Sequence, residues 1–228
     1  MKARLDAILQ REQAEYLDQL MPQTDRLLTE MEAYAAEHRV PIADREVAAF
    51  VEIAARASGA KRALEIGMAI GYSVIHLARG MGEGSLVITI EPSDQMINAA
   101  TRYLERAGLI DPVDRADGAD GADPADRVRI ERGKALDVMP RLNETFDLLF
   151  IDAVKEEYKQ YLDLGLPKLR SGGVVIVDNL LWGGKVAGDD TETSTVALRE
   201  FNVYFSNHPQ LRSVVLPVGD GLGYAVKY

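Results

Sequence analysis

Four polar residues stand where a chain can do chemistry: Asp152, Lys155, Asp178 and Asn179. Asp152 ends the run Phe146-Asp147-Leu148-Leu149-Phe150-Ile151, and Asp178-Asn179 ends Val174-Val175-Ile176-Val177. Both runs read as buried strands. If the strands are parallel, their carboxyl ends share one sheet edge. Two carboxylates and an amide oxygen then form a hard donor set suited to Mg²⁺, Mn²⁺ or Ca²⁺, with water completing the shell. Taken singly, each residue is as well explained as the cap of a following helix or turn. Their joint appearance at two strand ends, with Lys155 three residues past Asp152, favours a metal site. Lys155 also falls at a helix start, where the helix dipole disfavours a cation, so its placement points to function.

A second stretch has to position a partner for this group. Leu64-Glu65-Ile66-Gly67-Met68-Ala69-Ile70-Gly71-Tyr72-Ser73 reads as the end of a buried strand, a glycine turn and a helix start. Glycine permits φ > 0 and close approach of a ligand to the backbone. The helix continues with Val74, Ile75, Leu77 and Ala78 on an apolar face. Next comes the strand Leu86-Val87-Ile88-Thr89-Ile90, with Glu91 at its end. Glu91 follows Gly67 by about 24 residues, close to where Rossmann-like folds place the acid that accepts bonds from ribose hydroxyls. The turn lacks G-x-G-x-x-G, which argues against a dinucleotide.

The string E-I-G-x-x-x-G-Y-S followed by I-E resembles the S-adenosylmethionine (SAM) site of class I methyltransferases, within them the caffeoyl-CoA and catechol O-methyltransferase family. Phe150-Ile151-Asp152-Ala153-Val154-Lys155 resembles that family's strand–Asp–x–x–Lys motif, and Val177-Asp178-Asn179 its second metal motif. The resemblance implies a Rossmann-like, mostly parallel seven-stranded sheet with helices on both faces and an antiparallel C-terminal strand. It implies a SAM site at Ile42, Glu65, Gly67, Gly71, Tyr72, Ser73, Glu91, Ala135 and Asp152. It implies metal ligands Asp152, Asp178 and Asn179, with Asp152 and Lys155 as catalytic residues. In the family the cation binds both oxygens of a vicinal diol-like acceptor, and the lysine is base or electrostatic support. The physics agrees: a divalent cation lowers the pKa of a bound hydroxyl, and the sulfonium methyl then needs in-line placement. An amine beside a dication is likewise easier to deprotonate. Tyr72 and Trp182 are candidate pocket walls, and His38, His76 and His208 read as structural.

Two departures bear on the acceptor. Val154 is apolar where many plant-type members carry an acid, and Asp220 is the nearest carboxylate to the family's C-terminal substrate-orienting acid. Residues 32–42, Asn207-His208-Pro209 and residues 217–222 resemble bacterial tRNA 5-hydroxyuridine methyltransferases. Two acceptors therefore stand: a small molecule with adjacent oxygens, or a hydroxylated wobble uridine of tRNA. A SAM-binding protein without catalysis is a third class, opposed by the intact Asp152, Lys155, Asp178 and Asn179.

Composition sets the outer bounds. The 228 residues suit one domain, expected over 1–228, with helices in the first 58 and an acidic low-complexity surface loop over 111–126. The chain has no cysteine, which excludes disulfides, thiolate metal sites and a cysteine nucleophile. A charged start and no long apolar run predict a cytoplasmic protein without a membrane anchor. A net charge of −10 gives no global nucleic-acid footprint. Binding tRNA then needs a local basic rim, with Arg39, Lys155, Lys159 and Lys185 as candidates. The amphipathic N-terminal helices suggest a homodimer, as in many relatives. Asp44 is expected to cap the third helix, and Ser171-Gly172-Gly173 to form a turn before the strand at 174.

Overall fold

A computed structural model describes residues 11–111 and 126–228. Most of the acidic stretch expected as a loop, residues 112–125, lies outside the described residues, as do residues 1–10.

Seven strands form one sheet: β1 (Arg62–Ile66), β2 (Leu86–Glu91), β3 (Val128–Arg132), β4 (Phe146–Ile151), β5 (Leu169–Val177), β6 (Leu211–Leu216) and β7 (Leu222–Lys227). Their order is β3-β2-β1-β4-β5-β7-β6. The first five run parallel, and β7 is antiparallel to both β5 and β6. The closing antiparallel strand is thus inserted between β5 and the edge.

Successive residues of the inner strands go to opposite faces, as the two-residue period requires. Ala63, Val87, Leu148, Phe150, Val174 and Ile176 join one core layer with helices α2 (Arg26–His38), α3 (Arg45–Ala57), α4 (Tyr72–Met81) and α5 (Asp94–Arg106). Leu64, Ile66, Ile88, Leu149, Ile151, Val175 and Val177 join the other with α6 (Ala135–Val138), α7 (Tyr158–Gly165) and α8 (Thr193–Ser206). Burial on both faces explains why these strands read as nearly continuous apolar runs. A further helix, α1 (Arg11–Leu20), precedes these and exposes Tyr16, Leu17 and Leu20.

Local chemistry sets the helix starts. Asp25 caps α2 by accepting from the Leu28 N–H at 3.0 Å, and the Ser93 hydroxyl caps α5 through Met96 N–H. Asp44 occupies the cap position of α3 but makes no side-chain cap bond, contrary to expectation. The expected turn at Ser171-Gly172-Gly173 lies inside β5: pairing steps from Phe146–Leu169 to Leu148–Val174, so residues 170–173 bulge from the ladder. Between β4 and β5 the chain forms α7 flanked by two 3-10 turns, Lys155–Glu157 and Leu166–Lys168.

Candidate active site

The strand order reverses between β1 and β4, and the carboxyl ends of strands at such a switch point are where open α/β sheets bind ligands. Hydrogen bonds carry the ladder one step past the strands. Gly133 N–H donates to Glu91 O, Gly67 N–H to Ile90 O, Asp152 N–H to Ile66 O and Asp178 N–H to Ile151 O, all at 3.0–3.1 Å. The glycine turn, Glu91, Asp152 and Asp178 are therefore aligned by backbone pairing along one edge.

The turn itself is tightly specified. Gly67 has φ 95° and Gly71 φ 88°, and Ala69 between them is at φ 47°. Among the described residues, three of the four non-glycine residues with positive φ lie in this region: Ala69, Asn179 and Trp182. Such conformations cost free energy and persist where surrounding structure enforces them, often at functional sites.

Glu91 is nearly buried and holds the turn. Its Oε2 accepts from Ala69 N–H at 3.0 Å and its Oε1 from Ser93 N–H at 2.9 Å. Each oxygen retains acceptor capacity toward a ribose hydroxyl. Beneath the turn Glu65 is fully buried, with Thr89 Oγ1 donating to Oε2 at 2.5 Å and no partner for Oε1. Burial pushes its carboxyl up to about 7, against the pull of the Ser73 and Thr89 hydroxyls; the charges of Asp152 and Glu91 add to the rise. Ser73 is buried in the first turn of α4, and Ala135 opens α6 two residues after Gly133.

The second group converges on one point. Lys155 Nζ donates to Asp152 Oδ1 at 2.8 Å, Asn179 Oδ1 at 2.7 Å and the Tyr158 hydroxyl at 2.6 Å. The Tyr158 hydroxyl in turn donates a hydrogen bond to the Asp178 carbonyl at 3.2 Å, and burial pushes its phenol well above the usual range, so it stays protonated. The ammonium also lies over the Tyr158 ring, 4.9 Å from its centroid, and 5.6 Å from that of Trp182. Asp178 Oδ1 accepts from Asn179 N–H at 2.6 Å, which fixes the Asp–Asn pair. Two of the three expected metal ligands thus aim oxygens at a single cationic centre, a donor chemistry that fits a hard dication. Among the described residues no group of three or more His, Asp or Glu side chains could hold a metal ion. The set here relies on the Asn179 amide as its third member.

Other expected residues fall elsewhere. The Tyr72 side chain forms no pocket wall: it is buried in the helical layer, and its hydroxyl donates to Glu32 Oε1 at 2.7 Å. Ile42 is half-buried in the connector between α2 and α3, packed on the same layer. Asp220 does brace this edge, since its Oδ1 accepts from Gly183 N–H at 2.6 Å. Of the basic rim, Lys155 is inward and only 9% exposed, while Lys159 pairs with Asp163 and Lys185 with Glu192. Arg39 is exposed at the end of α2.

Sequence reasoning missed two residues that order the site. Tyr158 offered a signal in its position, one helical turn after Lys155. Arg199 offered none: from α8 its guanidinium reaches the carbonyls of Lys185, Val186, Gly188 and Asp190, pinning the loop beyond Trp182.

A model of the O-methyltransferase family matches residues 11–228, nearly the whole chain. The chain belongs to this family of SAM-dependent enzymes, with the Rossmann-like methyltransferase fold. It is 34% identical over 168 residues to a catechol O-methyltransferase of Mycobacterium tuberculosis, covering 73% of this chain and 70% of that one. It is 31% identical over 187 residues to a catechol O-methyltransferase of Niastella koreensis, covering 78% of each. The O-methyltransferase of Bacillus cereus in complex with SAH superposes with a TM-score of 0.79 at 29% identity, over 94% of this chain and 96% of that one.

Proposed function

We propose that residues 1–228 act as one methyltransferase domain that moves the SAM methyl group to a hydroxyl of a catechol-like small molecule, assisted by a divalent cation. The observation that carries the metal-assisted reading is the convergence of Asp152 Oδ1 and Asn179 Oδ1 on one cationic centre beside the glycine turn. Asp152, Asp178 and Asn179 would hold the cation, with Mg²⁺ the expected ion and Mn²⁺ or Ca²⁺ able to take the same oxygens. Bound there, a dication would supply Lewis-acid polarisation of the acceptor hydroxyl and ease its deprotonation.

The chain's residues then have distinct tasks. Glu91 accepts from the ribose hydroxyls, while the turn from Gly67 to Gly71, with Glu65, Ser73 and Ile42, receives the methionine end. Ala135 flanks the adenine, and Tyr72 contributes its backbone at the start of α4. Lys155 supplies positive charge, or as a neutral amine a base, at the acceptor hydroxyl. Val154, half exposed beside it, offers an apolar contact to an aromatic ring, where an acid would repel one.

A small acceptor is favoured over tRNA by charge. The chain is at −10, and Lys159 and Lys185 each spend their charge on a neighbouring carboxylate. The names of the two bacterial relatives point the same way. No helix of the described residues is long and apolar enough to cross a membrane, which is compatible with action in the cytoplasm. The exposed Tyr16, Leu17 and Leu20 are compatible with a homodimer.

The test is methyl transfer from labelled SAM to a simple catechol and to hydroxyuridine-containing tRNA, each with and without excess EDTA. Catechol turnover that EDTA abolishes, with SAM binding retained, is the expected result. Full activity in EDTA removes the metal; turnover on tRNA alone reverses the acceptor. Raising salt from ~50 to ~200 mM should leave the catechol KM nearly unchanged, whereas a tRNA KM would climb ~10-fold or more through counterion release.

A further inference from the structure

We propose that Lys155 controls cation entry: its ammonium is seated on the point where Asp152 and Asn179 converge, and a divalent cation binds by displacing it. The inference rests on the metal reading above and says how that site is filled.

The seat is complete for an ammonium. It has three N–H donors, and all three find acceptors within 2.8 Å: Asp152 Oδ1, Asn179 Oδ1 and the Tyr158 hydroxyl. The first two are the oxygens a cation would need. Mg²⁺ draws its ligands to about 2.0–2.1 Å and demands octahedral placement, so it cannot share those oxygens with an ammonium between them. Two positive centres that close also repel each other. The cation and Lys155 are therefore alternatives for one position.

Tyr158 belongs to the lysine's side of this exchange. It is buried, and as a neutral phenol it accepts from Nζ while donating to the Asp178 carbonyl. Its ring lies against the same ammonium. Of the three acceptors, it is the one that is not an expected metal ligand. Tyr158 is thus a positioning residue that stabilises Lys155 in the seat and opposes cation uptake. The exchange couples metal binding to release of the lysine at the acceptor edge.

The experiment is calorimetric titration of the full chain with MnCl₂, comparing the unmodified protein with Lys155→Met and Tyr158→Phe, each verified as folded by circular dichroism. Lys155→Met should tighten the Mn²⁺ Kd ~10-fold or more. Tyr158→Phe leaves the net charge unchanged and removes one hydrogen bond to the ammonium, so it should tighten Kd by ~3- to 10-fold. A structural defect would weaken binding instead. Tightening by Lys155→Met with an unchanged Tyr158→Phe would reveal simple charge repulsion and overturn displacement. Affinities equal to or weaker than the unmodified protein's in both variants overturn it as well. No Mn²⁺ binding by any of the three removes the metal reading itself, and this inference with it.

A readout on the unmodified chain covers failure of either variant to fold. Acetylation of Lys155 by an amine-reactive reagent, followed by mass spectrometry, should rise several-fold at saturating MnCl₂. Equal protection with and without Mn²⁺ overturns the proposal.

Discussion

A Cβ at Gly67 would lie 2.1 Å from the carbonyl oxygen of Asp152, so the turn after β1 and the end of β4 meet backbone against backbone. Asp152 N–H also donates to Ile66 O across the same gap. The turn expected to receive the methyl donor and the carboxylate expected to hold the cation therefore form one rigid unit. Proximity catalysis depends on such fixed separation, since small misplacements of reacting groups are costly in rate.

Gly67→Ala should accordingly damage fold and activity together. The added carbon collides with backbone, which cannot rotate away, and φ 95° is strained for any side chain. We expect a loss of at least about 2 kcal/mol in urea unfolding, within the range for backbone strain plus overpacking. An alanine variant of native stability would show that the two strand ends can separate.

Glu91 holds the glycine turn and is the proposed ribose acceptor, and two substitutions probe both. Glu91→Ala removes the acceptor for Ala69 N–H and the one proposed for the ribose, and should weaken SAM binding by roughly 1.5–3 kcal/mol while lowering the melting temperature. Glu91→Gln keeps one acceptor oxygen and should recover part of both losses. Calorimetry that finds SAM affinity unchanged in the alanine variant would remove Glu91 from the donor site.

Glu65 makes stability depend on pH. Its folded pKa of about 7 lies above the ordinary 4.5, so the folded state binds more protons than the unfolded chain in that interval. Its stabilising contribution is fully present below ~4.5 and is lost as pH rises through ~7, on the order of 3 kcal/mol in all. Glu65→Gln should therefore be more stable than the unmodified protein at about pH 8, with the advantage shrinking toward about pH 5. Parallel stability curves across this range would show that Glu65 ionises without cost.

Arg199 should affect the acceptor and spare the donor. Arg199→Ala frees four carbonyls of the loop that follows Trp182. The acceptor KM should rise several-fold with SAM affinity unchanged, because the glycine turn and Glu91 lie on other strands. Equal weakening of both would point to a global defect.

Much of this site is legible in the linear chain for a physical reason. Strands buried on both faces need continuous apolar runs, so the polar residue that ends each run marks the sheet edge. Asp152, Asp178 and Glu91 are visible in this way, and Gly67 and Gly71 mark the turn because glycine permits the positive φ that both adopt. The resemblance of these short strings to one methyltransferase family extended the reading to a mostly parallel seven-stranded sheet with an antiparallel C-terminal strand, while the strand order came from the structure.

Tertiary structure alone decided where side chains point and which distant groups meet. Tyr72 sits beside the glycine turn in sequence, yet the rotation of α4 sends its ring into the helical layer against Glu32. Ser171-Gly172-Gly173 has the composition of a turn, but pairing on both sides of it makes a bulge within β5. Asp220 meets Gly183 across 37 residues and Lys155 meets Asn179 across 24, because adjacent strands bring their ends together. Periodicity is a property of neighbours along the chain and shows which residues end a strand. The convergence of Asp152, Asn179 and Tyr158 on one ammonium depends on strand order and helix rotation, which only packing of the whole sheet determines.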